Sequence, residues 1–117
     1  LDFSYLDKNI IDGCGFEIIS MRALEFSHKL GKKRHKSELC SLYIRENLNK
    51  FKTTKIHTPK FLIRKDIRLT IDFPEDLIIC REIYKNFKNY DLKKIIKFID
   101  KNSYIRKMSK EIIKNEK

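Results

Sequence analysis

Pro74 separates two apolar patterns of different period, and that junction constrains the fold more than any other feature of the chain. Before it, Ile67-Arg68-Leu69-Thr70-Ile71 alternates apolar and polar residues, the period of a half-buried strand. After it, Cys80, Ile83, Tyr84 and Phe87 recur at helical spacing. Proline at the first turn of a helix costs nothing, because the N–H it lacks has no intrahelical partner there. The chain is thus expected to leave a strand, pass Asp72 and start a helix at once. Strand followed directly by helix is the unit of alternating α/β folds.

The other patterns agree. Asp12-Gly13-Cys14-Gly15 suits a turn and Phe16-Glu17-Ile18-Ile19 a short strand. Ser20 can cap a helix whose inner stripe is Met21, Leu24 and Ser27, joined by Ala23 and Leu30, with Gly31 as its stop. Ser37 precedes a second helical pattern through Leu39, Leu42, Tyr43 and Glu46, closing near Asn47-Leu48-Asn49. Thr53, Thr54 and Ile56 favour a strand, and Phe61-Leu62-Ile63 is a short apolar run. A helix from Asp91 should bury Leu92, Ile95, Ile96 and Ile99. Residues 103–117 form a basic tail with Ile105, Met108 and Ile112 on one helical stripe, frayed or docked. The expected order is β, α, α, β, β, α, α in one partial domain spanning 1–117.

Charge narrows the function classes. Lys+Arg number 27 against 16 Asp+Glu, a net charge of +11. A basic surface can hold phosphate or nucleic acid, and Gly31-Lys32-Lys33-Arg34-His35-Lys36 has the look of a nucleic-acid or nuclear-targeting hexamer. The rival reading is compositional. The chain is saturated with Lys, Ile and Asn and has no Val, Gln or Trp, as coding in an AT-rich genome would leave it, so much of the charge reads as solvated surface and the hexamer as a loop between helices. No apolar run approaches the roughly 18–20 residues that span a bilayer, so no membrane partner is expected. The opening Leu1-Asp2-Phe3-Ser4 is no signal peptide and reads as the start of a cut or partial chain. Cys14, Cys40 and Cys80 are odd in number and widely spaced, which fits reduced thiols in a cytoplasmic protein rather than a disulfide framework or a zinc site.

Few residues could carry chemistry. His28, His35 and His57 are scattered, and Gly13-Cys14-Gly15 is too short for a phosphate-binding fingerprint. Asp72 is different. At the carboxyl end of a strand in an open α/β sheet it would stand where ligands gather, and Mg²⁺ is usually held by one or two carboxylates plus substrate phosphates. Against this, Asp72 could simply complement the positive end of the helix dipole, which is the expected role of Glu75 and Asp76.

At this segment the sequence also resembles a known family. Arg68-Leu69-Thr70-Ile71-Asp72-x-Pro74-Glu75-Asp76-Leu77 resembles the RLTxDxPEDL signature late in cytidylyltransferases of the spore coat polysaccharide biosynthesis protein F type. These are similar to the acylneuraminate and 3-deoxy-manno-octulosonate cytidylyltransferases. Gly15-Phe16-Glu17-Ile18-Ile19-Ser20-x-x-Ala23-Leu24-Glu25 resembles the family's xVEVFSFEALE. The stretches from Ser37 to Phe51 and from Asp91 to Asn102 resemble REHVTPYIxxNxxxF and xxxIIxFLxxN. Ser37, Leu39 and Leu42 stand where the family carries Arg, His and Pro, which half erases a polar site in that helix. Phe73 stands where related synthetases often carry Thr, removing an N-cap hydroxyl.

The resemblance implies the C-terminal half of a nucleotide-diphospho-sugar transferase-like (Rossmann-like) α/β fold, helix-rich, whose nucleotide-binding half lies elsewhere. It implies a Mg²⁺-dependent enzyme, a homodimer, that joins CTP to a sugar for surface polysaccharide, the fragment alone being inactive. Asp72 would be a metal ligand, Glu17 would bind a sugar hydroxyl, and Arg68 would meet phosphate or carboxylate, a structural ion pair being the plainer role for it. Two other expectations remain open: a small basic module that binds nucleic acid or a protein without catalysis, and a degenerate half that keeps only the dimer surface. Specific nucleic-acid binding is not expected, because no base-reading motif is present.

Overall fold

The computed structural model describes residues 1–89 and 91–116. The chain is mixed α/β and helix-rich, and its contacts gather into two compact units, Leu1–Lys8 with Phe16–Thr58 and Asn9–Gly15 with Pro59–Lys117.

The first unit holds a three-stranded sheet in the order β2-β1-β3. Its strands are β1 (Phe3–Tyr5), β2 (Glu17–Ile19) and β3 (Thr53–Lys55). The central strand β1 runs antiparallel to β2, with Phe3 opposite Ile19, and parallel to β3, with Phe3 opposite Thr53. Parallel neighbours need a long crossover, here supplied by α1 (Met21–Leu30) and α2 (Leu42–Glu46). Phe3, Ala23 and Ile44 form the small core, flanked by Tyr5, Ile19 and Phe51. Ser20 caps α1 as expected, its Oγ accepting the Ala23 N–H at 3.1 Å. Gly31 ends that helix in an extended conformation, its N–H donating to the Ser27 carbonyl, and a Cβ there would lie 2.6 Å from that oxygen, so the close approach needs glycine.

One element of this unit is missed from the sequence, and one expectation fails. The central strand β1 is not expected: Phe3-Ser4-Tyr5 does alternate, but over three residues, too short a run to stand out, and both Phe3 and Ser4 are buried. The stripe of α1 is narrower than expected. Ala23 and Ser27 face inward, whereas Met21, Leu24 and Leu30 are exposed. Small residues suit close packing of this helix on the sheet.

The second unit is built by α3 (Pro74–Asn86), α4 (Leu92–Lys101) and α5 (Ser103–Glu116). Ile79 and Ile83 of α3, Ile95, Ile96 and Ile99 of α4, and Ile105, Met108 and Ile112 of α5 form its core with Ile11 and Ile67. The expected stripes of α4 and α5 are these residues, except that Leu92 is only half-buried at the edge of the core, and the tail is a docked helix rather than a frayed one. Asp91 caps α4 through the N–H groups of Lys93 and Lys94. The Arg64 guanidinium clamps Asp66 and Asp100, tying the loop before Ile67 to α4.

The alternating run Ile67–Ile71 is not a strand. It makes one parallel bridge, Asp12 to Arg68, in which the Leu69 N–H donates to the Asp12 carbonyl at 2.7 Å. The ladder stops there because the partner turns away at Gly13. Gly13 adopts a φ of 96°, and a Cβ on it would sit 2.3 Å from the Leu69 carbonyl oxygen. Asp72 therefore follows a bridge and a bend, not the carboxyl end of a sheet strand.

Candidate functional site

The residues that gave the sequence its strongest motif meet around one side chain. Arg68 leaves the bridge with its guanidinium almost wholly enclosed, 2% exposed. Asp76, in the first turn of α3, is as deeply buried and accepts from Arg68 Nε and from one terminal nitrogen, both at 3.0 Å. That two-point match of a planar fork to a carboxylate is the strong geometry for an ion pair. The other terminal nitrogen donates to Asp12 at 3.2 Å and to Glu116 of α5 at 3.0 Å. Asp72 lies at 3.3 Å, and the Phe73 ring stands 5.7 Å from the guanidinium carbon.

Asp76 has a second task. Its Oδ2 also accepts the backbone N–H groups of Asp72 and Phe73, each at 3.0 Å. Phe73 is the N-cap residue of α3 and offers no capping oxygen. The carboxylate of the third helical residue supplies it instead, reaching back as the acidic member of a capping box does. This corrects the expectation for Asp76: it is no solvated helix-end charge but the buried centre of the segment. The Arg68 guanidinium and these two N–H groups hold its carboxyl below the usual range, against the opposing pull of burial. The Asp76 carboxylate in turn raises the Arg68 pKa.

Of the three sequence-designated residues, Arg68 and Asp72 are brought together. Glu17 belongs to the first unit, on β2, where it is paired with Arg45 of α2. Arg68 is committed to carboxylates and enclosed, so it has no face left for an outside phosphate. Asp72 is 59% exposed, and only one of its oxygens has a partner among the described residues. It can offer one carboxylate to a cation. No group of three or more His, Cys, Asp or Glu able to hold a metal occurs among the described residues. The donors present thus fit magnesium only in the sense of one protein carboxylate completed by phosphates.

A cavity of about 380 Å³ opens between the start of α3 and the end of α5, lined by Phe73, Pro74, Glu75, Glu111, Ile112 and Asn115. Its size falls in the range of small-molecule sites, roughly 300–1,000 Å³. Two carboxylates, one amide and an aromatic ring, with no basic side chain, suit a hydroxylated or cationic group and repel a phosphate. Nothing in the residue pattern points to this cavity, since Glu111 and Asn115 lie on the polar side of the α5 stripe. Cys14 and Cys80 are free, and burial pushes both thiols up, away from nucleophilic use.

The chain is similar to an uncharacterized protein of Methanocaldococcus jannaschii, MJ1063, with 38% identity over 114 residues. That match takes in 95% of this chain and 47% of the relative, so the chain spans about half the length of the protein it matches. No protein-family model and no solved structure matches the chain. No helix among the described residues is long and apolar enough to cross a membrane.

Proposed function

We propose that this chain is the C-terminal part of a cytidylyltransferase of the spore coat polysaccharide biosynthesis protein F type, which activates a sugar with CTP in the cytoplasm. The observation that carries the reading is the convergence of the signature itself. Arg68, Asp72 and Asp76, far from being three scattered matches, are one hydrogen-bonded assembly at the start of α3. In it the Arg68–Asp76 pair fixes the backbone at 72 and 73 and leaves the Asp72 carboxylate on the surface. The length of the archaeal relative fits a protein about twice this long. The finer fold, a Rossmann-like sheet of the nucleotide-diphospho-sugar transferase kind, would add parallel strands to the three seen here.

In that protein Asp72 would hold Mg²⁺ together with substrate phosphates, and the ion would offset negative charge on the triphosphate. The cavity beside Phe73 would take sugar hydroxyls on Glu75, Glu111 and Asn115. Glu17, already paired with Arg45, would have to exchange that partner to meet a sugar. A homodimer would cover apolar side chains that stand in solvent on the first unit, among them Ile18 and Met21.

The test is pyrophosphate release from CTP and a panel of acidic and neutral sugars by the longer protein. Asp72→Asn should lower that rate by roughly 10²–10³, the loss typical of a charge contact that strengthens in the transition state. The 117-residue chain alone should show no turnover. Near-normal turnover by Asp72→Asn would remove the metal-ligand assignment. Failure of every sugar and nucleotide to react would remove the enzyme reading.

A further inference from the structure

The basic hexamer is not used by the proposed activity, and its conformation is specific. After Gly31 the chain makes a 3₁₀ turn over Lys33–His35. The Lys32 N–H donates to His35 Nδ1 at 2.7 Å, so Nε2 carries the ring proton and donates it to Glu46 at 2.8 Å. Arg34 closes a two-point pair with the same Glu46 carboxylate. These bonds hold the turn against α2. They also use up Arg34 and Glu46 on each other, and they leave Lys32 and Lys36 with no carboxylate partner among the described residues.

Both lysines line one pocket of about 180 Å³, together with Ser27, His28, His35 and Ser37. No carboxylate lines it. At ~30 Å³ per water it holds about six waters, well below the roughly 300 Å³ of pockets for drug-sized ligands. The carbonyl end of α1 lies at Gly31 and works against an anion, but a helix end carries only about half a charge, and two ammonium groups outweigh it.

We propose that this pocket binds the phosphoryl group of a small phosphomonoester. Lys32 and Lys36 supply the charge, and the Ser27 and Ser37 hydroxyls and the His28 ring are the hydrogen-bonding groups within reach of its oxygens. The site lies wholly in the first unit and does not depend on the cytidylyltransferase reading.

The test uses the full chain, ¹⁵N-labelled, titrated with inorganic phosphate at ionic strength held constant with sodium chloride. Saturable shifts are expected for the amides of residues 27–37, with half-saturation on the order of millimolar. Lys32→Gln with Lys36→Gln should weaken binding at least tenfold. Lys97→Gln with Lys101→Gln on α4 removes the same charge elsewhere and should leave binding unchanged. Shifts that never saturate, or that weaken equally in both double variants, would reduce the effect to general attraction by a basic chain and overturn the site. Sodium acetate is the second arm: binding as tight as phosphate would overturn the phosphoryl assignment in favour of a carboxylate.

Discussion

Replacing Asp76 by Asn changes one atom in a place where all four contacts are donors. Oδ1 faces Arg68 Nε, and Oδ2 faces a terminal nitrogen of Arg68 and the N–H groups of Asp72 and Phe73. An amide has one acceptor oxygen and one NH₂. With the oxygen placed at Oδ2, the NH₂ points at Nε and one bond becomes a donor–donor clash. In the opposite orientation three donors lose their acceptor. The negative charge that balances the enclosed guanidinium also goes. Breaking a buried ion pair by removing one partner costs about 3–5 kcal/mol. Asp12, Asp72 and Glu116 still face Arg68, so the expected loss is toward or below the lower end, about 2–4 kcal/mol.

The assay is urea unfolding of the full chain at neutral pH, with amide hydrogen exchange to localise the effect. Asp76→Asn should lower the midpoint, and the Phe73 and Asp72 amides should exchange far faster while those of β1 are unchanged. Arg68→Met leaves Asp76 buried without its cation and should cost at least as much. The double variant Arg68→Met with Asp76→Leu should cost less than the sum of the single Asp76 and Arg68 losses by more than about 1 kcal/mol, since both buried charges are then gone. A loss below about 1 kcal/mol for Asp76→Asn, with normal protection at Phe73, is what an exposed helix-end charge would give. That result would refute the buried-cap account.

Gly13→Ala should destabilise by about 2–3 kcal/mol, because its φ of 96° is strained for any side chain and the Cβ meets the Leu69 carbonyl; an unchanged urea midpoint would contradict this. Asp72→Asn should shift stability by less than about 1 kcal/mol, as an exposed partner of Arg68, measured in the same urea series. Ser20→Ala removes the N-cap of α1 and should cost about 1 kcal/mol, largely restored by Thr. Asp2 is held below its ordinary pKa by the Lys52 N–H and Arg22, Asp76 by Arg68, and Glu46 is lowered to about 2 by Arg34 and His35. Carboxyls depressed in the folded state stabilise it above their unfolded pKa and lose that contribution as pH falls through the folded values. Thermal melts should therefore be insensitive to these groups from pH 7 to 5 and fall steadily below about pH 4; a midpoint that held or rose between pH 4 and pH 2 would contradict the pairing.

What the sequence reveals and what it hides follow from range. The stripes of α4 and α5 are legible because helical burial is a local property: Ile95, Ile96 and Ile99, then Ile105, Met108 and Ile112, each face one way whatever lies opposite. Ser20 and Asp91 are legible for the same reason, since a cap bonds within three residues. The run Ile67–Ile71 misleads because alternation reports only that a strand is possible. A strand needs a partner of equal length, and here the partner ends at Gly13, more than fifty residues earlier in the chain. Strand β1 hides for another reason: Phe3-Ser4-Tyr5 alternates, but three residues are too few to separate a strand from chance.

Asp76 shows the same limit at the candidate site. From sequence it is one of two acids in a first helical turn, and dipole complementarity accounts for both. What separates it from Glu75 is Arg68, eight residues away, delivered to the same point by the bridge to Asp12. Once that bridge is known, the division of labour follows. One guanidinium faces four carboxylates, and only Asp76 is enclosed with it, while Asp12, Asp72 and Glu116 are themselves partly open to solvent. Arg68 brings one positive charge to four carboxylates, so these five side chains together carry a negative excess in a chain whose overall charge is strongly positive. The buried pair thus takes the arginine out of reach and leaves Asp12 and Asp72, each 59% exposed, as the carboxylates of this cluster that most face solvent.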